Sequence, residues 1–450
     1  MGAVQRTAAP DMKSTVRIGC GAGFAGDRLE PALVLAEHGG INWLGLECLG
    51  ERTVALAQLR KLHDPQGGYD PLLERRMDGL LPLIARRNIR IVTNMGAANP
   101  AAAAVRVADM AKRRRLASKV AAVLGDDVLK DIERDTPCLE TGAPLNSFGE
   151  LVSANAYLGV DAILPALQAG ADVVITGRAA DPSLFLAPLV HEFGWRLDDF
   201  CRLARGTVVG HLLECGGQLT GGYFADPGAK DVPNMAALGF PFADVDADGN
   251  ARFSKVKGTG GVLNRATATE QLLYEVNDPH RYETPDVVAD FSTAELTDLG
   301  DDVVSVTGAQ GTLRPQRLKV SVGYRAGFLG EGEIGYAGEN CLARAELAGE
   351  IVRERLANRF AELRVDIIGA TSLHRHALSA SQPYEARLRV AARAPERDLA
   401  ALVGEEVEAL YTNGPAGGGG VRKATTEQIG IVSCLVPRER VRTEVRVFEP

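Results

Sequence analysis

The sequence predicts an α/β fold: a doubly wound parallel sheet domain over residues 1–280, followed by a ferredoxin-like α+β domain over 281–450. Three observations carry that expectation. From residue 16 to about 276, short continuous apolar runs alternate with segments of helical periodicity, the pattern of strands covered on both faces by crossover helices. Each run ends in a polar or glycine-rich loop (GAGFAGD, ECLGER, TNMGAANP, GDD, TGRAAD), as when one composite site is built at the carboxyl edge of a parallel sheet. Beyond NDPHRYETP, a cluster of chain breakers at 277–285, the order becomes β-α-β-β-α-β.

In order, residues 16–20 read as a strand, 29–38 as a helix and 43–48 as a second strand. The segment 70–87 places Leu73, Met77, Leu80, Leu81 and Ile84 at helical spacing. A strand follows at 89–94, a helix over 101–115 begun by Pro100, and a strand at 119–125. After a Pro- and Gly-containing link at 136–147 come a helix over 154–169, a strand at 172–176 and a helix over 182–192. GHLLECGG reads as the start of a helix, and 264–276 as another. Strands at 287–291 and 303–307 precede the second domain, which reads as strand 317–324, helix 339–357, strands 363–368 and 385–390, helix 396–409 and strand 429–435, with an extra strand at 440–448.

A chain of 450 residues that is 46% apolar has enough material for two or three full cores. The net charge is −8, and basic residues cluster only at 112–115, so neither nucleic acid nor a membrane is expected as a partner. Apolar runs stop short of the roughly 20 residues a membrane span needs. The opening MGAVQRTAAPDMKS has no apolar signal core, which predicts a cytoplasmic protein. Seven scattered cysteines without a CxxC pair predict reduced thiols, Cys20, Cys48 and Cys215 among them.

Several constellations carry chemistry. Gly21, Gly23 and Gly26 spell G-x-G-x-x-G after the first strand, with Glu47 about twenty residues on, as in a dinucleotide fingerprint. Asp27, however, places a negative charge where a diphosphate would lie, and the alternative is a tight turn presenting Asp27. Asn94 and Asn99 can orient a carboxylate or thioester carbonyl, or, for Asn99, cap a helix. Arg178 suits a carboxylate or phosphate clamp, and Asp181 is either an acid/base or the cap of the following helix. His211 and Glu214 share a helical face at i, i+3, a spacing that serves proton transfer, a metal site completed by another pair, or a satisfied core histidine. The loop Lys257, Gly258, Thr259, Gly260, Gly261 precedes a helix and is a candidate phosphate or carboxylate cradle, and the Gly-rich run 417–420 is a second candidate loop. Asp27, Glu47, Asn94, Asp126 and Arg178 are expected to meet in one pocket.

The segments GRAADPSLFLAPLVHEFGW and GTVVGHLLECGGQLTGGYFADPG, with IGCGAGFAGD and TNMGAANP, make nearly the whole chain resemble the acyclic terpene utilisation protein A (AtuA-like) family. The resemblance implies a role in bacterial breakdown of acyclic terpenoids and related branched acids as CoA thioesters, without defining a reaction. The resulting expectation is acid/base chemistry (hydration, dehydration or isomerisation) on a branched or terpenoid acyl-CoA or related carboxylic acid. Proton transfer is assigned to His211, Glu214 and Asp27, and substrate binding to Asn94, Asn99, Arg178, Asp181, Lys257, Gly258, Gly260 and Gly261. Coenzyme A enters as part of the substrate, no metal or tightly bound cofactor is expected, and the assembly is expected to be a homo-oligomer. Two alternatives stay open: a non-catalytic acyl-CoA-binding or partner subunit, and a nicotinamide-dependent oxidoreductase using GAGFAG.

Overall fold

The computed structural model describes residues 14–374 and 383–449, so the opening segment 1–13 lies outside the described residues. The elements of the first half are β1 (Thr15–Ala22), α1 (Glu30–His38), β2 (Trp43–Leu46), α2 (Glu51–His63), α3 (Leu73–Arg87), β3 (Arg90–Thr93), α4 (Pro100–Arg113), β4 (Val120–Leu124), β5 (Leu151–Ala156), α5 (Val160–Gln168), β6 (Val173–Thr176), α6 (Ser183–Phe193) and α7 (Phe200–Glu214). There follow β7 (Pro241–Asp246), β8 (Ala251–Lys255), α8 (Arg265–Leu273), β9 (Tyr282–Glu283), β10 (Val288–Asp290), β11 (Glu295–Gly300), β12 (Val303–Thr307) and β13 (Gln310–Thr312). The chain ends with β14 (Arg317–Ala337), α9 (Cys341–Arg355), β15 (Leu363–Ile368), β16 (Glu385–Ala394), α10 (Arg397–Asn413), β17 (Gly419–Pro437) and β18 (Glu444–Phe448).

A ten-stranded sheet runs β11-β12-β8-β7-β1-β2-β3-β6-β4-β18. Its centre, β1 to β4, is parallel, as the continuous apolar runs predict, whereas β7 and β18 pair antiparallel at either side. The sheet is therefore mixed. Alternate side chains sort by face: Ile91, Val120, Val173 and Ile175 pack with α1, α3 and α4, while Val92, Ala121, Val123 and Val174 pack with α5, α6 and α7. Each fully buried aliphatic side chain of this kind contributes about 1.5–3 kcal/mol, so both layers are needed to hold the short central strands.

Several expectations are corrected. Residues 154–156 belong to strand β5, and the helix there starts only at Val160. GHLLE is the end of α7, not the start of a helix. Helix α2 and the β7–β8 hairpin occupy stretches to which no element is assigned above.

The chain divides into two compact units, residues 14–147, 152–323 and 431–449 in one and 148–151 with 324–430 in the other, not at 280/281. The physical reason is strand pairing: β11 and β12 extend the large sheet, and β18 returns to pair with β4. In the second unit the order β14-α9-β15-β16-α10-β17 forms a sheet arranged β15-β16-β14-β17, with β16 antiparallel to both β14 and β15. Its core is built from residues such as Ile334, Leu388, Val390, Val403 and Val407.

Candidate active site

The carboxyl ends of the parallel strands present Asp27 after β1, Glu47 after β2, Asn94 after β3, Asp126 after β4, and Arg178 with Asp181 after β6. Glycine lets the end of α7 reach them. A Cβ on Gly23 would lie 2.2 Å from the carbonyl carbon of Cys215, and one on Gly210 would lie 2.5 Å from the oxygen of Pro182. The last turn of α7, with His211 and Glu214, is thus laid against the loops following β1 and β6.

Glu47 and Asn94 form one unit. Asn94 Nδ2 donates to Glu47 Oε1 at 2.8 Å, Leu49 N donates to the same oxygen at 2.8 Å, and Asn94 Oδ1 accepts from Cys48 N at 2.7 Å. Asn94 is wholly buried, so its amide orients Glu47 and the turn after β2. Burial, then the charge of Asp181, raises the Glu47 carboxyl to about 8, although Arg178 and Asn94 oppose the shift.

Arg178 is 2% exposed and heavily engaged. Nη1 donates to Leu49 O, Nη2 donates to Asp181 Oδ2 at 3.2 Å, and the guanidinium lies 4.1 Å from the centre of the Tyr157 ring. Its backbone N–H donates to Asp126 Oδ2, which also accepts from Asn155 Nδ2, both at 2.8 Å. Burial lifts Asp126 to about 6. Both terminal nitrogens of Arg178 are held by protein groups, so the side chain presents no open two-pronged fork. Asp181 is no helix cap either, because α6 has no side-chain cap and the carboxylate faces Arg178. The side chain of Asp181 is 31% exposed and leads from solvent to this cluster.

His211 and Glu214 meet as their spacing predicts, with Nδ1 and Oε1 2.9 Å apart. His211 Nε2 lies 3.2 Å from Leu272 O, a group that can only accept, so Nε2 carries the hydrogen. Burial lowers His211 to about 4, the reverse of the rise that a neighbouring carboxylate leads one to expect. A neutral imidazole with hydrogen on Nε2 has a bare Nδ1, which requires Glu214 to donate. Burial, with Asp181 and Glu275 adding to it, holds Glu214 well above the usual carboxylate range, in agreement with that assignment. Both nitrogens of His211 are therefore occupied, and only Glu214 Oε2 remains unpaired.

The other expected residues are more local. Asp27 Oδ2 accepts from Gly23 N at 2.8 Å, so the loop after β1 binds its own carboxylate at the place a diphosphate would take. Burial raises Asp27, and the charge of buried Arg76 partly opposes this. Asn99 caps α4, accepting from Ala102 N at 3.4 Å and donating to Gly67 O at 2.8 Å. In the loop at 257–261, Gly260 N donates to Ala237 O and Gly261 N to Pro233 O, so these N–H groups are not free to hold a phosphate. Lys257 and Gly258 are exposed, and the inward-facing cation is Lys255, 2.9 Å from Asp302.

A model of the acyclic terpene utilisation family protein AtuA matches residues 16–447. The chain belongs to that family. Membership ties it to acyclic terpene utilisation. Comparison with curated proteins and with solved structures gives no match.

Within this family member, sequence reasoning missed part of the site. Glu51 on α2 accepts from Tyr157 Oη and from Lys319 Nζ at 3.2 Å; burial alone would raise it, but Arg178 and these partners bring it down to about 2. Gln271 on α8 donates through Nε2 to His211 O at 3.0 Å, and the Tyr282 ring packs at a tilt against His211, with centres 5.2 Å apart. Glu51 falls in a stretch to which no element is assigned above, Tyr157 falls in the segment read as a helix but lies on the link between β5 and α5, and Gln271 lies in an ordinary helical pattern that gives no signal. All seven cysteines are free. Among the described residues no helix is long and apolar enough to cross a membrane, and no three His, Cys, Asp or Glu side chains group as metal ligands would.

Proposed function

We propose that this AtuA family member catalyses hydration, dehydration or isomerisation beside the carbonyl of a branched or terpenoid acyl-CoA or related carboxylic acid. The observation that supports this best is Glu47: a partly exposed carboxyl, anchored by Asn94 and Leu49 N and raised to about 8, exchanges protons near neutral pH. In this reading Glu47 moves the proton at the carbon next to the carbonyl. Arg178 stabilises the negative charge that develops there, through its field across the buried cluster. Glu214 is the second proton-carrying group, with His211 as the residue that positions it. Asp27 and Asn94 shape the loops. The architecture is read as a doubly wound sheet domain with a ferredoxin-like companion, in a cytoplasmic homo-oligomer.

The nicotinamide alternative fits poorly, since Gly23 N is taken by Asp27 and a Cβ there would meet Cys215, so this glycine serves helix packing. The deciding experiment is a screen of purified protein against branched enoyl-CoA and hydroxyacyl-CoA thioesters, followed by mass spectrometry. Glu47→Gln is expected to lower turnover by about 10²-fold or more while leaving thioester affinity largely intact. Tight binding without turnover would instead support the non-catalytic acyl-CoA-binding reading.

A further inference from the structure

Four buried polar atoms in this region have no hydrogen-bond partner: Arg178 Nε, Asp181 Oδ1, Glu214 Oε2 and Gln271 Oε1. Leaving such a group unpaired costs about 1–3 kcal/mol, and native proteins leave few. The four belong to one neighbourhood. Asp181 Oδ1 lies 3.0 Å from Arg178 Nη1, off the hydrogen-bonding direction. Gly210 packs directly on Pro182, the residue after Asp181, and so brings the His211–Glu214 turn alongside. Gln271 is tied to that same turn through His211 O. Arg178, Glu214 and Gln271 are 2%, 8% and 2% exposed, whereas Asp181 opens to solvent.

The balance of donors and acceptors is informative. Arg178 Nε can only donate, and Asp181 Oδ1 and Gln271 Oε1 can only accept. Glu214 Oε2 also accepts, because the Glu214 hydrogen is committed to His211 Nδ1 by the Leu272 carbonyl on the far side of the ring. Three acceptors and one donor repel a carboxylate, which brings no hydrogen. They suit a hydroxyl: its one hydrogen and the two of a neighbouring water match the three acceptors, and an oxygen remains for Arg178 Nε. We infer that these four atoms form a subsite for a substrate hydroxyl together with a water molecule, which selects hydroxylated acyl groups over their deoxy counterparts. This rests on the acyl-thioester reading only for what carries the hydroxyl.

Two measurements test it. In titration calorimetry, the wild-type protein is expected to bind 3-hydroxy-3-methylbutyryl-CoA about tenfold or more tightly than 3-methylbutyryl-CoA, which differs by that hydroxyl alone. Gln271→Met removes one acceptor and should shrink the ratio; the wild-type comparison stands even if this variant folds poorly. In a high-resolution crystal structure without ligand, ordered water is expected within about 3.2 Å of at least two of the four atoms. Equal binding of the two thioesters overturns the hydroxyl subsite. Ordered water with neither thioester bound leaves the polar subsite standing and removes the acyl-thioester reading. Four atoms found paired with protein groups, or dry, overturn the subsite itself.

Discussion

At the scale of single residues, the buried pair His211 and Glu214 shows how tautomer and burial decide a role that spacing leaves open. Both imidazole nitrogens are occupied, and the ring packs at a tilt against the stacked pair Tyr282 and Phe291, with centres 5.2 and 5.3 Å away. His211→Asn is thus expected to cost about 1–3 kcal/mol of stability through lost buried hydrogen bonds. Because the proposed role runs through Glu214, turnover per folded molecule should fall as well, and His211→Gln should recover part of the stability if the longer amide regains Leu272 O. Denaturant unfolding and active-site-normalised rates on the same preparations check this. An unchanged rate per folded molecule would leave His211 a purely structural residue. A companion expectation concerns Glu47: the limb of the pH–rate profile near pH 8 should vanish in Glu47→Gln, because that carboxyl is the group titrating there.

At the scale of elements, the glycines explain both what was legible and what was not. The strands β1, β2, β3, β4 and β6 stand out in the sequence because they are largely buried on both faces and read as apolar runs, with Arg17 the one charge inside β1. Their polar ends stand out for the same reason, since little else interrupts those runs; this is why Glu47, Asn94, Asp126 and Arg178 are recognisable as a group. Helix α7 was not recognisable over its length. Gly206, Thr207, Val208, Val209 and Gly210 are poor helix formers, and the two glycines are required by packing, because a Cβ at 206 would lie 2.4 Å from Leu186 and one at 210 would press on Pro182. Close packing outweighs propensity there. Gly23 is the same case in a motif that resembles a cofactor loop. Gly23→Ala is expected to destabilise the protein by about 1–3 kcal/mol by forcing α7 away from β1. Thermal melts with and without NADH check it: a stable variant, or stabilisation of the wild type by NADH, would restore the dinucleotide reading.

At the scale of the whole molecule, burying many carboxyls at one edge of the sheet links stability to pH. Asp126 and Asp286 rise to about 6 and Glu47 to about 8, all through burial first, and Glu214 moves the same way. A carboxyl raised on folding keeps its proton in the native state at pH values where the unfolded chain has lost it, so stability falls as pH climbs from the unfolded value to the folded one. His211, lowered from 6.5 to about 4, works oppositely, since the unfolded chain alone is protonated between those values, and its contribution to stability rises with pH across that interval. Above pH 6.5 the histidine is neutral in both states and the two aspartates are ionised in both. The interval from 6.5 to 8 is left to Glu47, reinforced by Glu214. Unfolding free energy is therefore expected to decline there, with a slope approaching about 1.4 kcal/mol per pH unit for one retained proton, and less where solvent screens the open side of Glu47. Glu47→Gln should flatten the decline above pH 6.5 and also make it shallower between 4.5 and 6.5, where Asp126, Asp286, Glu47 and Glu214 all pull stability down with rising pH and outweigh the single opposing His211. Denaturant titrations at half-unit steps from pH 5 to 8.5, run on both proteins in buffers matched for ionic strength, measure both intervals. A wild-type curve that is level or climbing above pH 6.5, or an identical slope in the variant, would show that Glu47 is ionised in the folded protein at neutral pH and would take away its part in proton transfer.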